Sequence, residues 1–172
     1  ATNYNRRNKD VKLYELANIY LPKALPLTEL PDERMQFTLG MYGDGDFFNM
    51  KGVVEEFFEK IGMKGREKYD PNAGKSFLHP GRQANIIYDG KVVGYLGEVH
   101  PEVADIYGIG ERAYVAVLDM PEIIPYATFD RKYTGIAKYP AVTRDISMVV
   151  PKEILVGQIE DVIEKKGGAH LE

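Results

Sequence analysis

The sequence predicts an α+β fold, an antiparallel sheet with helices packed against it. Three observations carry this reading. Two apolar runs flank Asp89-Gly90, a pair that accepts the positive φ values of a tight hairpin turn. Met50, Val53, Val54, Phe57, Phe58 and Ile61 recur at spacings of three and one, which places them on one stripe of a helix. Val11–Leu21, Met35–Tyr42 and Tyr114–Leu118 are runs of strand character bounded by turn residues.

In chain order, Asn5–Asp10 is polar and reads as a loop or turn. Val11–Leu21 follows as a strand stopped by Pro22. Pro22, Pro26 and Pro31 mark a loop, and a second strand runs from Met35 into the turn Gly43-Asp44-Gly45-Asp46. Asp46 caps the striped helix, and Gly62 supplies a left-handed residue past its end. Burying the six stripe residues is worth roughly 9–18 kcal/mol gross, which outweighs the ~1 kcal/mol cost of Gly52 inside the helix. The stripe is buried either within the chain or by a partner. Met63–Ser76 reads as irregular. Pro101 suits the first position of a short helix through about Tyr107, ended by Gly108. A long irregular connection punctuated by Pro121, Pro125, Gly135 and Pro140 leads to a strand, Asp145–Val150, and a helix, Val156–Lys166. In that helix Val156, Ile159, Val162 and Ile163 face inward. One strand and one helix cannot bury a core by themselves, so this last unit packs on the first or belongs to something longer.

The hairpin register follows from its two-residue turn. Tyr88 opposes Lys91, Ile86 opposes Val93 and Ala84 opposes Tyr95, which puts Ala84, Ile86, Val93 and Tyr95 on an apolar face. The other face carries Gln83, Asn85 and Glu98, with His79 opposite His100 if pairing survives Pro80. His79, Glu98 and His100 together have the ligand types of a Zn²⁺ site. A polar sheet face with hydrogen-bonded histidines is the simpler account. Arg82 falls on the apolar-face register and reads as an anchor for the turn or a carboxylate.

The bulk composition excludes several classes. With 172 residues, 44% hydrophobic and 28% charged, the chain is an ordinary folded protein of one large or two small domains. No run approaches the ~18 apolar residues of a membrane span, and the start lacks the pattern of a secretory signal. Zero cysteines exclude disulfides and thiolate metal sites and fit a reducing cytosol. A net charge of −4 exerts no global pull on nucleic acid. Local basic stretches remain at Arg6, Arg7 and Lys9, and at Arg131, Lys132, Lys138 and Arg144.

Four stretches, in order, resemble the β subunit of bacterial phenylalanyl-tRNA synthetase. They are Asp10–Tyr20, Phe47–Glu55, the hairpin segment with its Gly94–Val103 continuation, and Lys138–Ser147. The resemblance implies a class II synthetase-like, non-catalytic module over residues 1–128. Residues 129–172 would then be a linker and the first βα unit of a ferredoxin-like anticodon-binding domain. It implies partners, namely a catalytic α subunit in an (αβ)₂ assembly and tRNA. It places ATP and Mg²⁺ with the whole enzyme and no cofactor in this part, and it implies a cytoplasmic location. The polar face of Gln83, Asn85, Glu98 and His100 would be a vestigial active-site cleft. No residue of the chain is expected to be catalytic, because neither a nucleophile–base pair nor a phosphate loop is present. Lys138 and Arg144 would contact tRNA phosphate; a local ion pair of Arg144 is the simpler account. The rivals are a stand-alone metal-dependent enzyme using His79, Glu98 and His100, and an autonomous RNA-binding module using the segment from Arg131 to Arg144.

Overall fold

The computed structural model describes all residues except Lys64, Lys132, Thr134, Ile136, Ala137, Tyr139, Ala141, Ala169, His170 and Glu172. Lys132 of the basic stretch, and Tyr139 and Ala141 of the Lys138–Ser147 match, therefore lie outside the described residues. The chain divides into two units, Ala1–Asp130 and Arg131–Glu172.

The first unit begins with a four-residue helix α1 (Thr2–Asn5), just ahead of the polar stretch read as a loop or turn, and enters strand β1 (Val11–Leu21) and strand β2 (Asp32–Tyr42). Helix α2 (Phe47–Lys60) follows, then strand β3 (Glu67–Asp70), the hairpin β4 (Leu78–Tyr88) and β5 (Lys91–Val99), and helix α3 (Pro101–Ile106). Strand β6 (Ala113–Asp119), helix α4 (Met120–Ile123) and a 3₁₀ turn (Ile124–Tyr126) complete it. The six strands form one antiparallel sheet in the order β1-β2-β6-β5-β4-β3. Strand β3 lies in a segment expected to be irregular. Four residues are too short for a periodic signal, and its pairing to β4 makes the strand.

Helix α2 forms as its sequence dictates. The Asp46 carboxylate accepts the Asn49 amide at 2.9 Å, and the Asn49 side chain accepts the Asp46 amide at 2.8 Å, a reciprocal cap. Ile61 closes the helix and Gly62 follows at φ 85°. Met50, Val54 and Phe58 are fully buried among Leu96, Ala116 and Leu118 of the sheet. Phe57 and Ile61 pack on the edge of this core, and Val53 remains 43% exposed. The stripe is thus divided, with one side in the core and the other flank turned toward β2, where the Phe37 and Phe57 rings meet at 5.0 Å, tilted by 45°.

The hairpin turn is as expected: Asp89 and Gly90 have φ of 50° and 79°, and Tyr88 pairs with Lys91. The register beyond it is not. Ile87 pairs with Val92 and Ile86 with Gly94, so Val93 is an extra residue, a β-bulge. From there Asn85 opposes Tyr95, Ala84 opposes Leu96 and Gln83 opposes Gly97. The bulge reverses the parity of β5 and exchanges the faces of Tyr95 and Glu98. Gly94 permits the close approach, since a Cβ there would sit 2.4 Å from the Val117 carbonyl oxygen.

The second unit contains helix α5 (Val156–Gly167). The Leu155 amide donates to the Gln158 side chain at 2.9 Å, and the Gln158 amide donates to the Leu155 carbonyl at 3.0 Å. Residues Asp145–Val150 form no strand, contrary to expectation, because no neighbouring segment pairs with them. Of the helix residues expected inward only Ile159 is half-buried, while Val156 and Val162 are 69% and 60% exposed. A lone helix beside an unpaired segment has no surface on which to bury a stripe.

Replacing Phe58 by Ala should lower the free energy of unfolding by about 3–5 kcal/mol, whereas Val53→Ala should change it by about 0.5 kcal/mol or less; urea titration of both variants measures the difference. Burial pushes the phenols of Tyr95 and Tyr114 above their ordinary value of 10, Glu98 adding to the effect at Tyr114 and Arg112 opposing it. The unfolded chain therefore loses these protons first, and the stability they contribute is complete below pH 10 and falls as pH rises past it. Ultraviolet titration of phenolate, together with unfolding curves between roughly pH 9 and 11, should show ionisation lagging behind free tyrosine and stability declining in step.

Candidate functional site: the open face of the sheet

The two sides of the sheet differ. One is covered by α2 and carries the core. The opposite side presents Gln36, Thr38 and Gly40 of β2, Val115 and Val117 of β6, and Tyr95 and Gly97 of β5, in register across neighbouring strands. Its β4 portion carries Gln83 and Asn85. This side is the candidate site.

Gln83 and Asn85 both reach a loop. The Gln83 side-chain oxygen accepts the Lys75 amide at 2.8 Å, and the Asn85 amide donates to the Asn72 carbonyl at 3.5 Å. The Lys75 ammonium sits 4.6 Å from the centre of the Tyr95 ring, and Phe77 meets the same ring edge-on at 5.9 Å. Residues 72–77 thus lie over the β4–β5 end of the face. Over β1, β2 and β6 a cavity of about 400 Å³ opens between Val11, Leu13, Gly40, Ala113 and Val115, bordered by Ala1–Asn3.

Glu98 is not on this face. The bulge turns it to the core side beside Tyr114, where it is 2% exposed. Arg82 Nη1 reaches both of its oxygens, at 3.2 and 3.1 Å, and Arg112 Nε lies 3.8 Å away. Arg82 is the carboxylate anchor that its register suggested. A buried carboxylate needs such a partner, because its desolvation is otherwise uncompensated.

The four residues expected to share a cleft are therefore divided. Gln83 and Asn85 lie together, Glu98 lies on the other side, and His100 caps α3, its Nδ1 accepting the Glu102 amide at 3.3 Å. His79 does not face His100; the His100 amide pairs instead with the Phe77 carbonyl at 2.9 Å. His79 Nδ1 accepts the Gly81 amide at 3.1 Å. No group of three histidine or acidic residues among the described residues is arranged to hold a metal. In the second unit Lys138 and Arg144 are exposed, and among the described residues Arg144 donates to the Thr143 carbonyl at 2.9 Å and not to a carboxylate.

ATP and Mg²⁺ do not fit the residues in the middle of the open face. Gln36, Thr38, Gly40, Tyr95, Gly97, Val115 and Val117 supply no cation for a triphosphate and no carboxylate for Mg²⁺. At its margins the same face carries Glu15 of β1, opposite Thr38, and Asp119 of β6, opposite Gln36; Asp119 at 2.8 Å and Glu122 at 3.2 Å engage Arg34 of β2.

Arg82→Ala should destabilise the protein by about 2 kcal/mol by stranding Glu98, less than for a fully buried pair because Arg82 is 40% exposed. The double variant Arg82→Met with Glu98→Leu should cost less than the sum of its single changes, as a double-mutant cycle in urea would show.

Residues 1–120 match the family model described as the phenylalanyl tRNA synthetase beta chain CLM domain. Among curated proteins, the chain is 42% identical over 172 residues to a phenylalanine–tRNA ligase beta subunit of Clostridium acetobutylicum, covering 100% of this chain and 22% of that protein. It is 36% identical to that of Clostridium tetani, with the same coverages, and 35% identical to that of Bacillus subtilis, covering 99% and 22%. The chain thus spans about a fifth of the length of these relatives. Among solved structures, the Desulfitobacterium hafniense pyrrolysyl tRNA synthetase PylSc superposes with a TM-score of 0.54 over 72% of this chain and 44% of that one, at 8% identity. That likeness shows a shared fold, the one seen in that synthetase. The chain belongs to the phenylalanyl-tRNA synthetase β-chain CLM-domain family.

Proposed function

We propose that residues 1–128 are a non-catalytic scaffold of phenylalanine–tRNA ligase, the cytoplasmic enzyme that joins phenylalanine to its tRNA at the expense of ATP, and that this scaffold supports the catalytic α subunit. The observation that carries the proposal is an uncovered apolar surface beside α2. On the core side of β1, Tyr14, Leu16 and Tyr20 are 77%, 55% and 60% exposed. Met35 of β2 and Val53 of α2 extend the patch, and Phe37 forms its inner margin. Strand β1 is also an edge strand of eleven residues without proline, and Lys12 is its only cation. Such edges are normally shortened, charged or bulged unless another chain covers them.

The middle of the open face agrees with the same reading, because Gln36, Thr38, Tyr95, Val115 and Val117 carry no charge to clamp a phosphate, and Arg34 at its margin is taken up by Asp119 and Glu122. The second unit would be the beginning of the anticodon-binding domain, with Lys138 and Arg144 toward tRNA. ATP and Mg²⁺ would act in the α subunit, within an (αβ)₂ assembly.

Co-expressed with a phenylalanine–tRNA ligase α subunit, the chain should co-purify with it, and Leu16→Asp should weaken that association at least tenfold without lowering the melting temperature of the isolated chain. Failure of the wild type to associate, or ATP–pyrophosphate exchange by the chain alone, would overturn the proposal.

A further inference from the structure

A second surface, remote from the apolar patch in chemistry, lies in the turn that leads into β1. Arg6, Arg7, Lys9 and Lys12 occur within seven residues, with Asp10 as the one acid among them. All four cations are exposed, and none forms an ion pair among the described residues. The segment carries a local charge of +3 (four cations less one acid) on a chain whose net charge is −4.

The turn is held rigidly. The Asn5, Arg6, Arg7 and Asn8 amides all donate to carbonyls of Ala1–Tyr4 at 2.8–3.1 Å. The Asn8 side chain donates to that of Asn3 at 3.1 Å, and the buried Tyr42 hydroxyl donates to the Asn8 carbonyl at 2.8 Å. The Tyr4 ring meets Tyr42 edge-on at 6.0 Å. Gly43 lies so close that a Cβ there would be 2.1 Å from the Lys9 carbonyl oxygen. Arg7 is kept at φ 62°, a left-handed conformation that costs a residue with a Cβ. A glycine would satisfy the backbone at position 7 with less strain, yet the sequence places a guanidinium there. Strain held by surrounding structure, at an exposed cation, points to a task for that cation.

We propose that this turn is an RNA-backbone contact, with Arg6, Arg7 and Lys9 set against phosphates and Lys12 flanking them. The choice of RNA rests on the proposed function, in which the partner of the assembled enzyme is a nucleic acid. The chemistry agrees with a phosphate ligand: Asn5–Lys12 offers no exposed aromatic ring for base stacking and no apolar side chain for insertion into lipid, save half-buried Val11. The turn therefore positions RNA without reading its sequence.

The test is binding of a fluorescent phenylalanine tRNA transcript to the full chain across about 50–200 mM salt. The triple variant Arg6→Gln, Arg7→Gln, Lys9→Gln should reduce the slope of log Kobs against log salt by about 2–3, near 0.7–0.9 for each phosphate that is no longer neutralised. Arg7→Gly should reduce it by just under ~1, with an unchanged or raised melting temperature. A folded triple variant with the wild-type slope would overturn the proposal, as would wild-type protein that binds no transcript. Binding of polyglutamate that is equally sensitive to the triple variant, and not displaced by tRNA, would overturn it in favour of an acidic protein partner. Because association with the α subunit is measured separately, a chain that associates normally but keeps its slope in the triple variant defeats the RNA role of this turn alone.

Discussion

Strand β6 is the constraint on which the first unit depends. The sheet consists of two local pieces, the β1–β2 pair and the β3–β4–β5 meander, and these are joined only through β6. Tyr114, Ala116 and Leu118 on its core side are buried, with Leu39 and Met41 on one flank and Leu96 on the other. Without that strand α2 would lack a continuous surface for Phe58, Met50 and Val54. Because β6 pairs with residues roughly 70–80 positions upstream in β2, this pairing closes a long loop and must offset its entropy.

Cover on the sheet is one-sided and incomplete. The width of α2 suffices for β5 and β6, and at β1 the apolar side chains continue past its margin. That leaves Tyr14, Leu16 and Tyr20 in solvent while Phe58 and Leu118 are sealed. An apolar surface of this extent on an edge strand is the kind that further protein normally covers. The other side of the sheet is committed differently. Gln83 and Asn85 hold residues 72–77 over one end, and β2, β6 and β5 supply small or apolar residues in the middle. The middle of that side carries no charged side chain, and Glu15, Arg34 and Asp119 stand at its margins.

Glu98 illustrates how a single residue of register redistributes function. With unbroken alternation it would join Gln83 and Asn85 on the open face. The bulge at Val93 sends it to the core side, where Arg82 and Arg112 compensate its charge. A residue that sequence suggests as a cleft carboxylate is instead an internal brace between β4, β5 and the approach to β6.

Much of the architecture was legible because it rests on local chemistry. The Asp46 cap and the apolar stripe of α2, the Asp89-Gly90 turn, the proline stops and the run of β1 each follow from side chains within a few residues of one another. What escaped had non-local causes. Strand β3 exists because β4 pairs with it, and Asp145–Val150 fails as a strand because nothing does. His79 and His100 carried the right atoms for a metal, yet the irregular path of β4 after Leu78 sets Phe77, not His79, against His100. By itself the sequence determined the turns, caps and amphipathic stripe, and through its four ordered matches the family. Tertiary structure alone decided which face each β5 side chain takes and which apolar residues remain uncovered. Local propensity sets the conformation of a segment, whereas register and burial depend on the backbone lying beside it.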